Sequence, residues 1–375
     1  MTEHRVAIVG CGGWAAQAHL PALRALPGVE VIACADQDAA ASRGFAAAHG
    51  IPHWFGSADG LLAAGLADAL TVAAPDDVHP SVVLSALAAG VPVFCEKPIA
   101  NTAETADELV RAQERADVAA TVGYSFRYSP ALQQLRADLA AGLLGEPWLA
   151  ELYEYNAQFH PRFGKAMNWK GDPDRAGAGA LFEYGSHALD LAQWLIGPIG
   201  RVSAQLSRVL PGSRLDDIAT VQLDFAGPCS GILVSGWVLA GGVPGVRVRV
   251  HGSAGAAEAE LGESLPGGER YQRLSLDGGP AEQVPLGEEA GGRSGYARRH
   301  LHDFLGLPGG QGGSGTLPTL AQAASVQHVL DTAAKATDRW LPVPRGHQGD
   351  RPVIAGATER KTCGSGRSGS LGAER

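Results

Sequence analysis

Two groups of residues in the sequence have types and spacings that suit chemistry. The first is Gly10-Cys11-Gly12-Gly13-Trp14-Ala15, a G-x-G-x-x-A run. It sits between a short apolar segment, RVAIVG (5–10), and an Ala- and Leu-rich segment that reads as a helix over 14–26. In such a turn the first glycine permits the tight bend, the second lets backbone approach a pyrophosphate, and the small third residue lets helix and strand pack closely. The helix start then offers free N–H groups and a positive partial charge to phosphates. Asp36 closes the next strand, VEVIACA (29–35), at about the 20-residue spacing of a ribose-binding carboxylate. A 2′-phosphate there would face a like charge, so Asp36 favours NAD over NADP. The second group is Glu183, His187 and Asp190, at i, i+4 and i+7. In a helix beginning by Leu181 they form one polar stripe, apart from the apolar stripe of Leu181, Tyr184, Ala188, Leu191 and Leu195. Histidine suits removal of a hydroxyl proton, its unperturbed pKa being about 6.5.

The elements that must position these groups follow from the pattern. Strands are expected at 5–10, 29–35, 68–73, 91–95 and 118–123. Helices are expected at 14–26, 38–48, 57–64, 79–89 and 102–116. This alternation implies a doubly wound parallel sheet covered on both faces, an α/β domain over 1–123. Lys97 follows the 91–95 strand and precedes Pro98, which restrains it to extended backbone. Ligands of open α/β sheets bind at such carboxyl ends of strands. After Tyr124 the rhythm changes. Ser129-Pro130 reads as a cap and first turn of a helix to about Ala141. A strand is expected over 147–158 and a helix over 179–196, stopped by Gly197-Pro198. Several Gly- and Pro-broken strands over 201–286 favour a mainly antiparallel sheet. Helices are expected at 294–306 and 318–339, with GGQGGSG (309–315) as a flexible loop. The second domain is placed at 124–345, and residues 346–375, rich in Gly, Ser and charge, are expected to be a disordered tail.

Further motifs add to these. Cys95-Glu96-Lys97-Pro98, Ala74-Pro75-Asp76-Asp77-Val78-His79, the 123–130 segment GYSFRYSP and the 179–190 segment GALFEYGSHALD, with the glycine loop, resemble the glucose–fructose oxidoreductase/inositol dehydrogenase (Gfo/Idh/MocA) family. The likeness covers about residues 3–344. It implies a Rossmann domain followed by an α+β domain with a large, open, mainly antiparallel sheet, and a homodimer or homotetramer built through that sheet. It implies an NAD(P)-dependent oxidoreductase acting on a secondary alcohol of a sugar, inositol or related polyol. His187 matches the family's catalytic histidine and Lys97 its catalytic lysine. Glu183 stands where many members carry Asp, one methylene further out, and joins the expected catalytic set.

The expected cofactor contacts are Gly10, Gly12, Gly13, Trp14, Ala15, Asp36, Pro75, His79, Glu96 and Lys97. The expected substrate contacts are Lys97, Arg127, Trp169, Lys170, Glu183 and His187. Several assignments stay open. Arg127 meets substrate or forms a structural salt bridge. Asp190 is a solvated helix residue or an outer partner. His79 lines the cofactor cleft or lies at the surface. Tyr155, His160 and Asn168 are plausible further contacts.

Composition narrows the class. The formal net charge of −9 argues against nucleic acid and anionic membranes as partners. No apolar run reaches the roughly 20 residues of a membrane span, and the opening residues carry no secretory pattern. The five cysteines are scattered with no CxxC or Cys/His cluster. That is the reading of reduced thiols in a cytoplasmic protein, with no metal site. Two further functions share these motifs: a redox-neutral NAD-dependent glycosidase and a non-catalytic dinucleotide or sugar sensor.

Overall fold

The computed structural model describes residues 4–163, 167, 169–176, 179–239, 245–262, 265, 268–286, 292–310, 312–313, 315–337 and 339–346. The expected tail from 347 onward, Asn168, and Gln311 and Ser314 of the expected loop lie outside the described residues.

The first sheet is built from β1 (His4–Val9), β2 (Val29–Ala35), β3 (His53–Phe55), β4 (Ala69–Val72), β5 (Val93–Cys95) and β6 (Ala120–Val122). Its strands are all parallel, in the order β3-β2-β1-β4-β5-β6. β3 was not expected. It is three residues long, with an exposed His53 and Trp54, so it carries no run of apolar residues to announce it. The crossovers are a π-helical turn at Ala15–His19 leading into α1 (Leu20–Arg24), then α2 (Ala39–His49), α3 (Ala58–Ala63), α4 (His79–Ala88) and α5 (Ala103–Ala116). Local chemistry sets their ends. Asp38, Ser57 and Thr102 accept backbone N–H bonds at the starts of α2, α3 and α5, and Gly50 ends α2 at φ 63°.

The apolar run of β1 needs two covered faces. Val6 and Ile8 pack with Leu20, Leu23 and Leu301, whereas Ala7 and Val9 pack with Val82, Val83, Leu109 and Leu330. A strand buried on both sides loses period-two alternation, which is why 5–9 is apolar throughout.

Beyond β6 come a 3-10 turn at Ser125–Tyr128 and α6 (Pro130–Ala140), capped by Ser129. They are followed by β7 (Pro147–Tyr155), α7 (Pro173–Ala176), a π-helical turn at Leu181–Gly185 and α8 (Ser186–Leu195). The remaining strands are β8 (Ile199–Ser207), β9 (Ile218–Phe225), β10 (Ser230–Gly236), β11 (Gly245–Gly252), β12 (Ala256–Leu261), β13 (Glu269–Leu274) and β14 (Glu282–Gln283). Two helices, α9 (Gly292–Phe304) and α10 (Leu320–Lys335), and the edge strand β15 (Leu341–Pro342) complete the chain. The second sheet runs β14-β13-β12-β11-β7-β10-β9-β8-β15 and is antiparallel except where β7 meets β10. Its strands alternate in burial. Val246, Val248 and Val250 of β11 point to the core, and Arg247, Arg249 and His251 to the other face.

The last two helices return to the first sheet. Ala297, Leu301 and Leu305 of α9 share a core with β1 and α1, and α10 packs against α5 and α8. The two sheets are thus clamped together on both sides of the crossing segment.

Candidate active site

A cavity of about 660 Å³ opens where the carboxyl ends of the first sheet meet α8 and β7. The glycine loop forms one end. Gly10 sits at φ 92°, and a Cβ there would lie 2.6 Å from the backbone of Ala73, so only glycine fits. Gly12 has open space around it and Gly13 nearly so. This leaves backbone free to receive a ligand at the start of the helix that runs to Arg24. Asp36 lines the same end. Its carboxylate accepts from Cys11 N at 2.9 Å and Asp38 N at 3.0 Å, which ties the loop to the end of β2. Ala15 is fully buried, as close helix–strand packing requires. Glu96 accepts from Trp14 Nε1 and His19 Nε2, each at 2.9 Å. Burial raises its pKa, but those bonds and the His19 and Lys97 charges outweigh burial and hold the carboxylate below its ordinary value. A bare concave loop, free N–H groups at a helix start and a fixed carboxylate beyond it fit a dinucleotide.

The other end joins the two domains. Lys97 comes from the loop after β5, Glu183 and His187 from the helix of the second domain. Lys97 Nζ donates to the Glu183 carbonyl at 2.8 Å and lies 3.6 Å from Glu183 Oε1. Lys170 Nζ meets the same Oε1 at 2.5 Å. One carboxylate thus serves two ammonium groups. Burial alone would raise its pKa, but Lys97 and Lys170 outweigh burial and hold it at about 2. Burial likewise opposes the charge on Lys97, but Glu183, Asp76 and Glu154 outweigh that, so its pKa is raised. The His187 ring packs on Phe126 at 4.6 Å and edge-on to Tyr124 at 6.0 Å. Both come from the crossing segment, so the stretch that joins the two domains orients the second domain's histidine.

The helix carrying Glu183 and His187 is held at its start by Asp216, which accepts from Gly179 N at 2.9 Å and Leu181 N at 2.8 Å. A Cβ on Gly179 would lie 1.9 Å from the Asp216 carbonyl oxygen. The first turn, Leu181–Gly185, is π-helical and α-geometry starts at Ser186. The wide turn breaks the regular 100° step on which the expected polar stripe rested.

That break shifts Glu183 off its regular spacing to His187 and Asp190, which keep theirs within α8. Buried partners decide the roles of Arg127 and His79. Arg127 is not a substrate contact. It is 2% exposed and pairs with Asp190, 1% exposed, through Nε at 2.9 Å and Nη2 at 2.5 Å, while Nη1 donates to Gln322 at 2.8 Å. A buried guanidinium needs a carboxylate and hydrogen bonds, and Asp190 supplies them in the wall behind the cavity. His79 lines the cavity, one of the two places the sequence left open to it. It is fully buried, with Nδ1 2.8 Å from Pro98 O and Nε2 2.9 Å from Ala74 O. Burial depresses its pKa. Its polar atoms brace the two loops that carry Pro75 and Lys97 and do not reach into the cavity.

Gly10, Gly12, Gly13, Trp14, Asp36, Pro75, Glu96, Lys97, Trp169, Lys170, Glu183 and His187 all line this one cavity. Sequence reasoning missed Asp76, Ser125, Glu154, Tyr184 and Arg175, which line it too. Asp76 stands in a motif segment beside Pro75, and its type and place were a usable signal. Ser125 stands in the quoted 123–130 segment just after β6 and had the same signal, whereas Glu154 gave none, because only the packing of β7 brings it to the cavity. Asp76 is 6% exposed. Burial, then the Glu183 charge, push its carboxyl up to about 8 against the pull of Lys97 and Lys170.

Comparison with known proteins agrees with this geometry. Residues 4–124 match the model of an oxidoreductase family with an NAD-binding Rossmann fold. Residues 132–258 match the GFO/IDH/MocA C-terminal domain. The chain is 33% identical over 265 residues to the rhizopine catabolism protein MocA of Rhizobium meliloti, covering 70% of this chain and 80% of that one. It is 27% identical over 268 residues to a D-apiose dehydrogenase of Rhizobium rhizogenes, covering 71% and 76%. Among solved structures, a levoglucosan dehydrogenase in complex with NADH and levoglucosan superposes with a TM-score of 0.82 at 20% identity, covering 91% of this chain and all of the other. An NAD-binding oxidoreductase from Klebsiella pneumoniae superposes with a TM-score of 0.79 at 23% identity, covering 91% and 99%. The chain belongs to the Gfo/Idh/MocA family of oxidoreductases, with an NAD-binding Rossmann domain.

Proposed function

We propose that this protein is an NAD-dependent dehydrogenase that oxidises a secondary alcohol of a sugar, inositol or related polyol. The observation that carries the reading is the meeting of Lys97, Glu183 and His187, drawn from two domains, in the cavity that the glycine loop enters. The activities of relatives on D-apiose and levoglucosan support the substrate class.

When bound, NAD supplies the acceptor for the hydride leaving the carbinol carbon. His187 takes the hydroxyl proton as general base. Lys97 gives one N–H to Glu183 O and faces Glu183 Oε1 at 3.6 Å, which leaves it a further N–H for the reacting oxygen. It hydrogen-bonds the reacting oxygen and stabilises the negative charge that builds on it. Its positive charge also favours neutral His187, the form able to accept a proton. Glu183 fixes Lys97 and Lys170, and Trp169 and Lys170 form the substrate wall. Asp36 receives the ribose hydroxyls and disfavours a 2′-phosphate.

The free thiols of Cys34, Cys95 and Cys229 are buried, and no helix among the described residues is long and apolar enough to cross a membrane. We place the protein in the cytoplasm on that basis. The outward face of the second sheet, with Trp148 at 55% and Ile232 at 37% exposure, is our candidate for the contact of a homodimer or homotetramer.

The test is absorbance near 340 nm while purified protein and NAD meet a panel of sugars, inositols and sugar acids, with Lys97→Ala and His187→Ala in parallel. Turnover in the wild type, lost in both variants, supports the reading. NAD binding with no turnover anywhere on the panel sinks it, and glycosides are then the next substrates.

A further inference from the structure

The crossing segment carries a chain of hydrogen bonds that the reaction above does not use. Thr121 in β6 donates its hydroxyl proton to the Pro318 carbonyl at 2.6 Å, a group that only accepts. The Thr121 oxygen therefore meets His300 Nε2, 3.1 Å away, as an acceptor, and His300 carries its proton on Nε2. Nδ1 is then a lone pair, and Ser125 Oγ at 3.0 Å donates to it. His300 is rigidly placed. It is fully buried on α9, stacked on Tyr128 at 4.9 Å and edge-on to Phe94 at 4.6 Å. Burial depresses its pKa to about 3, so it stays neutral and in this tautomer across the working pH range.

The consequence falls on Ser125, which is half-buried and lines the cavity. Its one proton points inward to His300, so the side facing the cavity offers lone pairs only. Ser125 lies between the two ends of the cavity, next to Phe126, whose ring packs on His187 at 4.6 Å. It follows Gly123, whose Cβ position would lie 2.7 Å from Glu96 Oε2, at the carboxyl ends of β5 and β6. An oxygen that only accepts discriminates between the two halves of a carboxamide. It bonds the N–H₂ and repels the C=O.

Resting on the NAD-dependent reading, we propose that Ser125 binds the cofactor by accepting a hydrogen bond from the nicotinamide carboxamide N–H. His300 is the positioning residue that fixes the hydroxyl's direction. Through it, α9 selects one orientation of the amide.

The experiment measures affinity for NADH, and for the reduced 3-acetylpyridine analogue, in which a methyl replaces the amide nitrogen. The proteins compared are wild type, Ser125→Ala and His300→Gln, with melting temperature recorded for each. Ser125→Ala is expected to lose about 2- to 12-fold in NADH affinity, the value of one neutral hydrogen bond, and nothing for the analogue. His300→Gln, whose amide offers both donor and acceptor, retains part of the NADH affinity. Ser125→Ala removes only a half-buried hydroxyl and decides the matter even where His300 variants lose stability. Equal losses for both dinucleotides, or no loss, overturn the proposal. So does unchanged NADH affinity with a raised KM for the polyol, which assigns the Ser125 oxygen to substrate. A wild type that binds no NADH defeats the NAD-dependent reading itself, a distinct outcome.

Discussion

Replacing Asp76 by asparagine removes a carboxyl whose pKa burial and the Glu183 charge push up to about 8 from an ordinary 3.8. Between those two pH values the folded protein holds a proton that the unfolded chain releases. Linkage then gives the sign: the stability from this group is fully present below pH 3.8 and is lost as pH rises through 8. At about 1.4 kcal/mol per pH unit, the window sums to about 5–6 kcal/mol. Asparagine does not titrate and resembles the protonated acid in shape. The Asp76→Asn protein is therefore expected to match the wild type near pH 4 and to exceed it by about 5 kcal/mol at pH 9. Urea denaturation midpoints for both proteins at pH 4, 5, 7 and 9 measure this directly, without any ligand. Two stability curves that run parallel from pH 4 to 9 refute the argument, because Asp76 would then titrate alike in folded and unfolded chains. Glu183→Gln supplies an internal check. Removing that negative charge from beside Asp76 narrows the window and flattens the difference.

Three other expectations follow from particular contacts. Arg127→Met leaves Asp190 buried without its bidentate partner and is expected to cost about 3–5 kcal/mol of stability, largely recovered in Arg127→Met/Asp190→Leu; thermal melts of the single and double variants decide it, and a normal melt with a tenfold higher substrate KM would restore the substrate-contact reading. Gly179→Ala drives a methyl into the Asp216 carbonyl and is expected to cost about 1–3 kcal/mol and to displace the helix that carries Glu183 and His187; a wild-type melt and wild-type kcat would contradict this. Asp36→Ala removes both a ribose acceptor and the tie to Cys11 N, and a loss of about 1.5–3 kcal/mol of NAD affinity is expected, read by titration of NADH fluorescence; unchanged affinity would remove Asp36 from the cofactor site.

The sequence determined this protein's frame because its signals are local. Glycine at Gly10, a strand before it, a helix after it and Asp36 beyond are short-range requirements of one turn. They could be read, with the parallel α/β alternation, from spacing alone. Caps such as Ser129-Pro130 are likewise chemistry between neighbours in sequence. The antiparallel character of 201–286 followed from the absence of helical crossovers between its strands. Lys97, Glu183 and His187 could be nominated because each stands in a motif, and the tertiary structure brings all three to one cavity.

What only the tertiary structure decided depends on contacts between residues far apart in the chain. Arg127 and Asp190 are 63 positions apart, and no pattern in either segment shows that they neutralise each other behind the cavity. The π-helical turn at Leu181–Gly185, set where Asp216 holds the chain, shifted Glu183 off the regular helical spacing to His187 and Asp190. β3 is too short to bear a periodic signal. The return of α9 and α10 to the first sheet is invisible to periodicity, which reports that a helix has an apolar face but not which surface it covers. That return places His300 beside Ser125, 175 positions away, and converts an ordinary serine into an oriented acceptor. A sequence fixes which groups are available, but the direction of a hydroxyl proton is set by the neighbours that folding supplies.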